Sequence, residues 1–162
     1  MRRPDGAPPA RKAAAALRDF SQSLPMLLLR SHQAVMAEFR PILREHSITD
    51  TQWRVLRALT TAESLRASQL AALTLVSGPS LTRILKALEQ RRLISRRAEA
   101  DDQRAARIAI SAAGRRLIAT VAPHSEARYR AIGERIGADR MDQLYALLGE
   151  LPERLRRAKG AR

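Results

Sequence analysis

The chain has 162 residues, the size of one domain with short appendages, and 45% of them are apolar, enough for a packed core. Aromatic residues make up 3% and cysteine is absent, so the core falls to Leu, Ile, Val and Ala; disulfides, thiolate catalysis and cysteine redox sensing are excluded. The formal net charge of +14 points to a polyanionic partner, though a solubilising charge in an Arg-rich chain reads the same way.

Residues 1–20 read as a basic, partly disordered extension. They begin like a signal peptide, but Asp5, Pro8 and Pro9 interrupt any apolar stretch. The longest strongly apolar run, Met26–Leu29, is too short for a bilayer. The expectation is a soluble cytoplasmic protein with no membrane partner. "RKAAAALRDFSQ" can form a short helix.

From Leu24 a long helical pattern sets in, with Leu24, Leu27, Leu28, Val35, Phe39, Ile42 and Leu43 at spacings near 3.6. Pro25 suits its first turn, and Pro41 is expected to kink it or loosen one turn of it. Met26, Leu28, Val35 and Phe39 read as core. Thr49, with Gln52 three residues on, predicts a capped second helix whose buried face holds Trp53, Leu56 and Leu59. Ser64–Arg66 reads as a very short strand and Ala67–Leu73 as a short third helix.

Ser77 can cap a fourth helix with Gly78 and Pro79 in its first turn. Leu81, Ile84, Leu85 and Leu88 form its apolar face, leaving Ser80, Thr82, Arg83 and Lys86 on the polar side. Two helices joined by a short turn, the second basic on its outer face, predict a helix-turn-helix. Such a helix presents side chains to base edges and phosphates, Arg83 above all, since arginine pairs with guanine O6 and N7. The bland alternative is a solvated helix face. Ser68 and Gln69 begin the preceding helix, where they either meet phosphate or, for Ser68, simply cap it.

Residues 93–98 and 106–111 alternate like strands around the polar "EADDQRA", which reads as a hairpin wing with a basic tip. Ser111 then caps a fifth helix. A sixth carries Met141, Leu144, Leu147, Leu148 and Leu151. Residues 49–115 are the most basic third, with 12 Lys and Arg against 6 Asp and Glu; residues 1–48 hold 8 against 4, and residues 116–162 hold 10 against 6. The small central module cannot cover the terminal apolar faces, and a long helix does not leave such a stripe in water. A second copy is expected to cover them. The chain divides on this reading into an extension (1–20), a dimerisation helix (21–48), a DNA-binding module (49–112) and C-terminal dimerisation helices (113–162). The fold class is mainly α with a small β-hairpin wing.

Enzyme chemistry lacks its residues. His32, His46 and His124 are far apart, and no Gly-rich phosphate loop, Gly-x-Ser-x-Gly or metal-ligand cluster is present. No cofactor and no metal are expected.

With this order of elements the chain resembles the MarR family of winged helix-turn-helix regulators, over about residues 20–157. "SGPSLTRILKALEQRRLISRR" and "DDQRAARIAISAAG" carry the resemblance. Asp102, Arg104, Arg107, Ser111 and Gly114 match the family's wing pattern, while Ala105 stands where a second aspartate is usual. "SLPMLLLRSHQAVMAEFRPILREHSITDTQWRVLRAL" and "APHSEARY" are similar to the HpaR-like and NicR-like subgroup, which regulates aromatic-acid catabolism.

The resemblance implies a homodimeric repressor on an inverted-repeat operator in double-stranded DNA, released by a small aromatic carboxylate. It implies DNA contacts from Arg96, Arg97, Arg104 and Arg107, with Asp102 orienting Arg104 toward the minor groove; alternatively Asp101 and Asp102 only form the hairpin turn. It also implies an effector pocket between the first, second and fifth helices, with Arg30, His32 and His124 as candidate polar groups and Trp53 as a possible wall. A different class remains open: an effector-independent architectural DNA-binding protein, which would protect no defined palindrome.

Overall fold

The computed structural model describes residues 19–99 and 102–160, with the side chains of 98–99, 102–105 and 158–160 excepted. Residues 1–18, most of the expected extension and helix, lie outside the described residues, as does Asp101. After a 3-10 turn at Phe20–Gln22 come helix α1 (Leu24–Glu45), α2 (Asp50–Ala58), strand β1 (Leu65–Arg66), α3 (Ala67–Thr74) and α4 (Gly78–Gln90). Strands β2 (Ile94–Glu99) and β3 (Asp102–Ile110) and helices α5 (Ala112–Ile136) and α6 (Ala138–Gly160) complete the chain. This is the expected mainly helical fold with a small antiparallel wing. None of the described helices is long and apolar enough to cross a membrane.

Two compact units meet at Val35/Met36, within α1. In the first, the Ser21 N–H and hydroxyl both donate to the Asp19 carboxylate and hold its pKa below the ordinary carboxylate value. Leu24, Leu27, Leu28, Leu29 and Val35 are exposed, so the expectation of Leu28 and Val35 as core does not hold. Among the described residues of this unit, only the 3-10 turn is present beside the stripe. Met26 is half-buried, and α1 runs through Pro41 as one helix.

The second unit holds the core. Thr49 closes the expected capping box: its Oγ1 accepts from the Gln52 N–H at 3.2 Å, and Gln52 Oε1 accepts from the Thr49 N–H at 3.1 Å. The apolar face of α2 therefore meets its partners: Trp53, Leu56 and Leu59 are buried against Leu70, Leu81, Leu85 and Leu88. Arg40 pairs with Asp50 at 3.1 Å. Arg91, just past α4, donates to the carbonyls of Ser47 (2.6 Å) and His46 (3.3 Å), tying the α1–α2 turn to the end of α4. These bonds satisfy carbonyls left over at a helix end.

Four expectations change. The short strand starts at Leu65 and joins the wing, making a three-stranded sheet in the order β1-β3-β2. Strand β3 starts at Asp102, which pairs with Glu99 across a register shift, so much of "EADDQRA" is strand and Asp102 opens β3. Ser68 does not cap α3: the strand runs straight into the helix, Arg66 is the cap residue, and Gln69 Oε1 accepts its N–H at 2.8 Å. Ser77 stands at the cap position of α4, but its hydroxyl donates to Ser80 Oγ at 3.1 Å rather than accepting from the helix.

The turn between α3 and α4 places Leu75 in the left-handed region (φ 52°, ψ 40°) with its side chain 86% exposed. That conformation costs an L-residue about 1 kcal/mol and suits Asn better. Leu75→Asn is expected to stabilise the fold by about 0.5–1 kcal/mol. Urea denaturation checks this, and an unchanged or lower midpoint contradicts it.

Candidate nucleic-acid interface

Helices α3 and α4 and the turn between them present a polar surface above the core. Burial of Leu81, Leu85 and Leu88 fixes the rotation of α4 and leaves Ser77, Thr82, Arg83 and Lys86 exposed, with Ser80 half-buried. Thr82 Oγ1 donates to the Gly78 carbonyl at 3.1 Å, so its lone pairs are what it offers a partner. Ser68 and Gln69 are exposed in the first turn of α3. A concavity of about 520 Å³ lies between the N-terminal parts of α2 and α4, lined by Thr51, Arg54, Leu75, Ser77, Ser80 and Arg83 among others. Arg54 thus joins Arg83 at this surface. The sequence reading passed over it because Arg54 sits in α2, outside the recognition helix.

The wing arginines divide by face. Arg96 shares a face with the buried Ile94, and its Nε lies 3.1 Å from Glu89 Oε2 on α4, an ion pair between wing and α4. Arg97 lies on the other face, opposite Arg107 on β3, which is opposite Arg66 on β1. The Asp102 and Arg104 side chains lie outside the described residues, so their orienting pair remains a proposal.

The effector candidates sit in different settings. In the first unit, Arg30 is exposed with its guanidinium carbon 6.0 Å from the Phe20 ring centroid, and His32 is exposed. In the second unit Trp53 is buried, and the Arg57 guanidinium carbon lies 6.0 Å from its ring centroid. His124 is exposed, while its neighbour Ser125 is buried and has no hydrogen-bond partner for its Oγ among the described residues. One turn on, Tyr129 meets Phe39 of α1 at 4.8 Å between ring centroids. An Arg135–Glu38 ion pair (2.8 Å) joins the same two helices. The exposed Arg57 beside Trp53 and the buried Ser125 are polar groups the sequence reading passed over; for Ser125, nothing local says which of two adjacent residues on a helix faces inward.

Helix α6 has no buried residue among its described side chains. Met141, Leu144, Leu148, Leu151 and Leu155 alternate spacings of three and four, the seam pattern of a helix that packs lengthwise on another.

Residues 46–105 match a model of the MarR family. The chain is 36% identical over 129 residues to the HTH-type transcriptional regulator FarR of Neisseria gonorrhoeae, covering 80% of this chain and 88% of that one. It is 36% identical over 128 residues to the homoprotocatechuate degradative operon repressor of Escherichia coli, covering 79% and 86%. The crystal structure of NadR in complex with 4-hydroxyphenylacetate superposes with a TM-score of 0.72 at 35% identity, over 85% of this chain and 97% of NadR. With its two-helix reading head, three-stranded wing and these relatives, the chain belongs to the MarR family of winged helix-turn-helix transcriptional regulators and is not an enzyme.

Proposed function

We propose that this protein is a homodimeric repressor that binds an inverted-repeat operator and is released by a small hydroxylated aromatic carboxylic acid, of the hydroxyphenylacetate, homoprotocatechuate or hydroxynicotinate type. The observation that carries the DNA half is the exposed row Ser77, Thr82, Arg83 and Lys86 on a recognition helix otherwise pinned in the core. The 36% identity to a homoprotocatechuate operon repressor and the likeness to a 4-hydroxyphenylacetate-bound structure support the effector half.

Arg83 reads a base and Lys86 holds a phosphate. Ser68, Gln69 and Ser80 add phosphate or base contacts, Arg96 and Arg97 flank them, and Asp102 orients Arg104 toward the minor groove. Selection of binding sites from a random duplex library, followed by footprinting, tests this. Arg83→Ala is expected to cost about 1–3 kcal/mol and to relax the preference at one position per half-site, whereas Lys86→Ala weakens all sequences alike. Protection without a defined palindrome rejects the operator reading and favours an architectural protein.

The effector's carboxylate needs a cation or donors and its ring an apolar wall. Arg57 beside Trp53, and Ser125 one turn from the Tyr129–Phe39 pair, supply both chemistries. Arg30, His32 and His124 stay candidates for the remaining polar contacts. An effector acts only through its different affinities for the DNA-bound and released forms. Arg57→Ala is therefore expected to raise the acid concentration needed for release about tenfold or more, with affinity for DNA in its absence nearly unchanged. Calorimetry with 4-hydroxyphenylacetate, homoprotocatechuate and 6-hydroxynicotinate checks it; binding of none of the three rejects the aromatic-acid reading.

A further inference from the structure

Among the described residues between 49 and 112, the exposed large apolar side chains are Leu73 and Leu75. Those elsewhere lie in the 3-10 turn or on α1, α5 and α6, the elements assigned to the proposed dimer. Leu75 is the most exposed of all. Its backbone is unfavourable as well, because it holds the left-handed region in which a Cβ is crowded. Gly or Asn would close this turn at lower cost. A strained backbone under an exposed leucine points to a function at that spot. What the side chain faces narrows it. Leu75 lines the concavity of about 520 Å³ with Thr51, Arg54, Ser77, Ser80 and Arg83, and the described lining holds cations but no acidic residue. The mount is firm: the Leu75 N–H donates to the Ala71 carbonyl, and Val76 beside it packs against the core. A residue on so fixed a backbone loses little freedom on binding.

We propose that Leu75 is a specificity-determining residue that packs on the 5-methyl group of one thymine in each half-site. Of the groups on the major-groove edges of the four bases, the thymine methyl is the apolar one. Ser77, Ser80 and Arg83 belong to the recognition surface and share the concavity with Leu75, so a duplex seated on α4 reaches the leucine too. Arg54, on the other wall, suits a phosphate of the same strand. The inference rests on the operator reading above. It adds to the hydrogen-bonding side chains of α4 an apolar contact made from the turn that precedes it.

The test uses the full-length protein and the palindrome it selects from a random duplex library. Each thymine is replaced in turn by deoxyuridine, symmetrically in both half-sites, which removes the methyl group and keeps the base pairing. Fluorescence anisotropy reads affinity. One replacement is expected to weaken the wild type about fourfold per half-site and about 15-fold for the dimer, the worth of one buried methyl group taken twice. Leu75→Asn and Leu75→Gly both tolerate the turn, and both are expected to bind the unmodified palindrome about 15-fold more weakly than wild type. Neither loses further affinity when that same thymine is replaced. Both duplexes are read with the same protein, so a change in folded fraction cancels from this comparison. The inference is overturned if no replacement weakens the wild type, or if the loss is equal in wild type and variants. Unchanged affinity of both variants for the unmodified palindrome also overturns it, and leaves the leucine to an acidic protein partner. A wild type that selects no palindrome overturns the operator reading along with the inference, whereas a palindrome bound without any methyl dependence overturns the inference alone.

Discussion

Gly114→Ala is expected to destabilise the fold by about 3 kcal/mol, lowering the melting temperature by roughly 10 °C. Gly114 lies buried in the first turn of α5, where a Cβ would stand 2.2 Å from the Leu93 carbonyl oxygen and 2.7 Å from Ile110 Cγ1. The nearer atom is backbone and cannot swing away. It is also committed, because the Leu93 carbonyl accepts the Ser111 N–H at 3.0 Å. Ser111 Oγ in turn donates to the Arg92 carbonyl at 2.7 Å and accepts the Gly114 N–H at 3.0 Å. The end of β3, the start of β2 and the start of α5 are thus joined at one point, and a methyl group there must push α5 off the wing. Helix propensity works the other way, favouring Ala over Gly by about 1 kcal/mol. A net loss therefore identifies the clash. Thermal melts followed through Trp53, the single tryptophan, would check it; a midpoint equal to or above wild type contradicts the close approach.

If the protein forms the proposed dimer on the proposed palindrome, Leu148→Asp is expected to turn it into a monomer and reduce affinity for the full palindrome by about 10²–10⁴-fold. Leu148 sits in the middle of the seam Met141, Leu144, Leu148, Leu151 and Leu155 and is 43% exposed in the single chain. The proposed two-fold symmetry would place two carboxylates in the seam, where desolvating each costs several kcal/mol. Each recognition module keeps its own core, since no described residue of α6 is buried within the chain. What fails is the linkage that lets the second half-site bind as an intramolecular event. Sedimentation velocity and gel-shift titration measure the two effects together. A variant that stays dimeric, or a monomer holding the palindrome with wild-type affinity, would refute the dimer.

Local signals were legible in the sequence because they are satisfied within one turn of chain. The Thr49–Gln52 box and the Ser111 cap each close within three residues, and both form. The spacing of Leu81, Leu85 and Leu88 named the buried face of α4, and so the exposed Arg83 and Lys86. The same arithmetic failed at Leu28 and Val35, because periodicity names a stripe without saying what covers it.

Tertiary structure decided whatever depends on register between distant segments. A two-residue strand has no pattern of its own, so only pairing with Ile108 and Arg107 makes Leu65–Arg66 part of the wing. That pairing moves the cap of α3 to Arg66 and leaves Ser68 inside the first turn. Arg96 and Arg97 look alike in sequence, yet the pleat sends one to Glu89 and the other to the face of Arg107. On α5, packing turns Ser125 inward and leaves His124 outside. Periodicity named the order and the apolar faces of the main helices and the wing strands, because each element's apolar face is written along its own length. Which polar groups meet was settled by sheet register and helix rotation, because contacts far apart in the chain determine both.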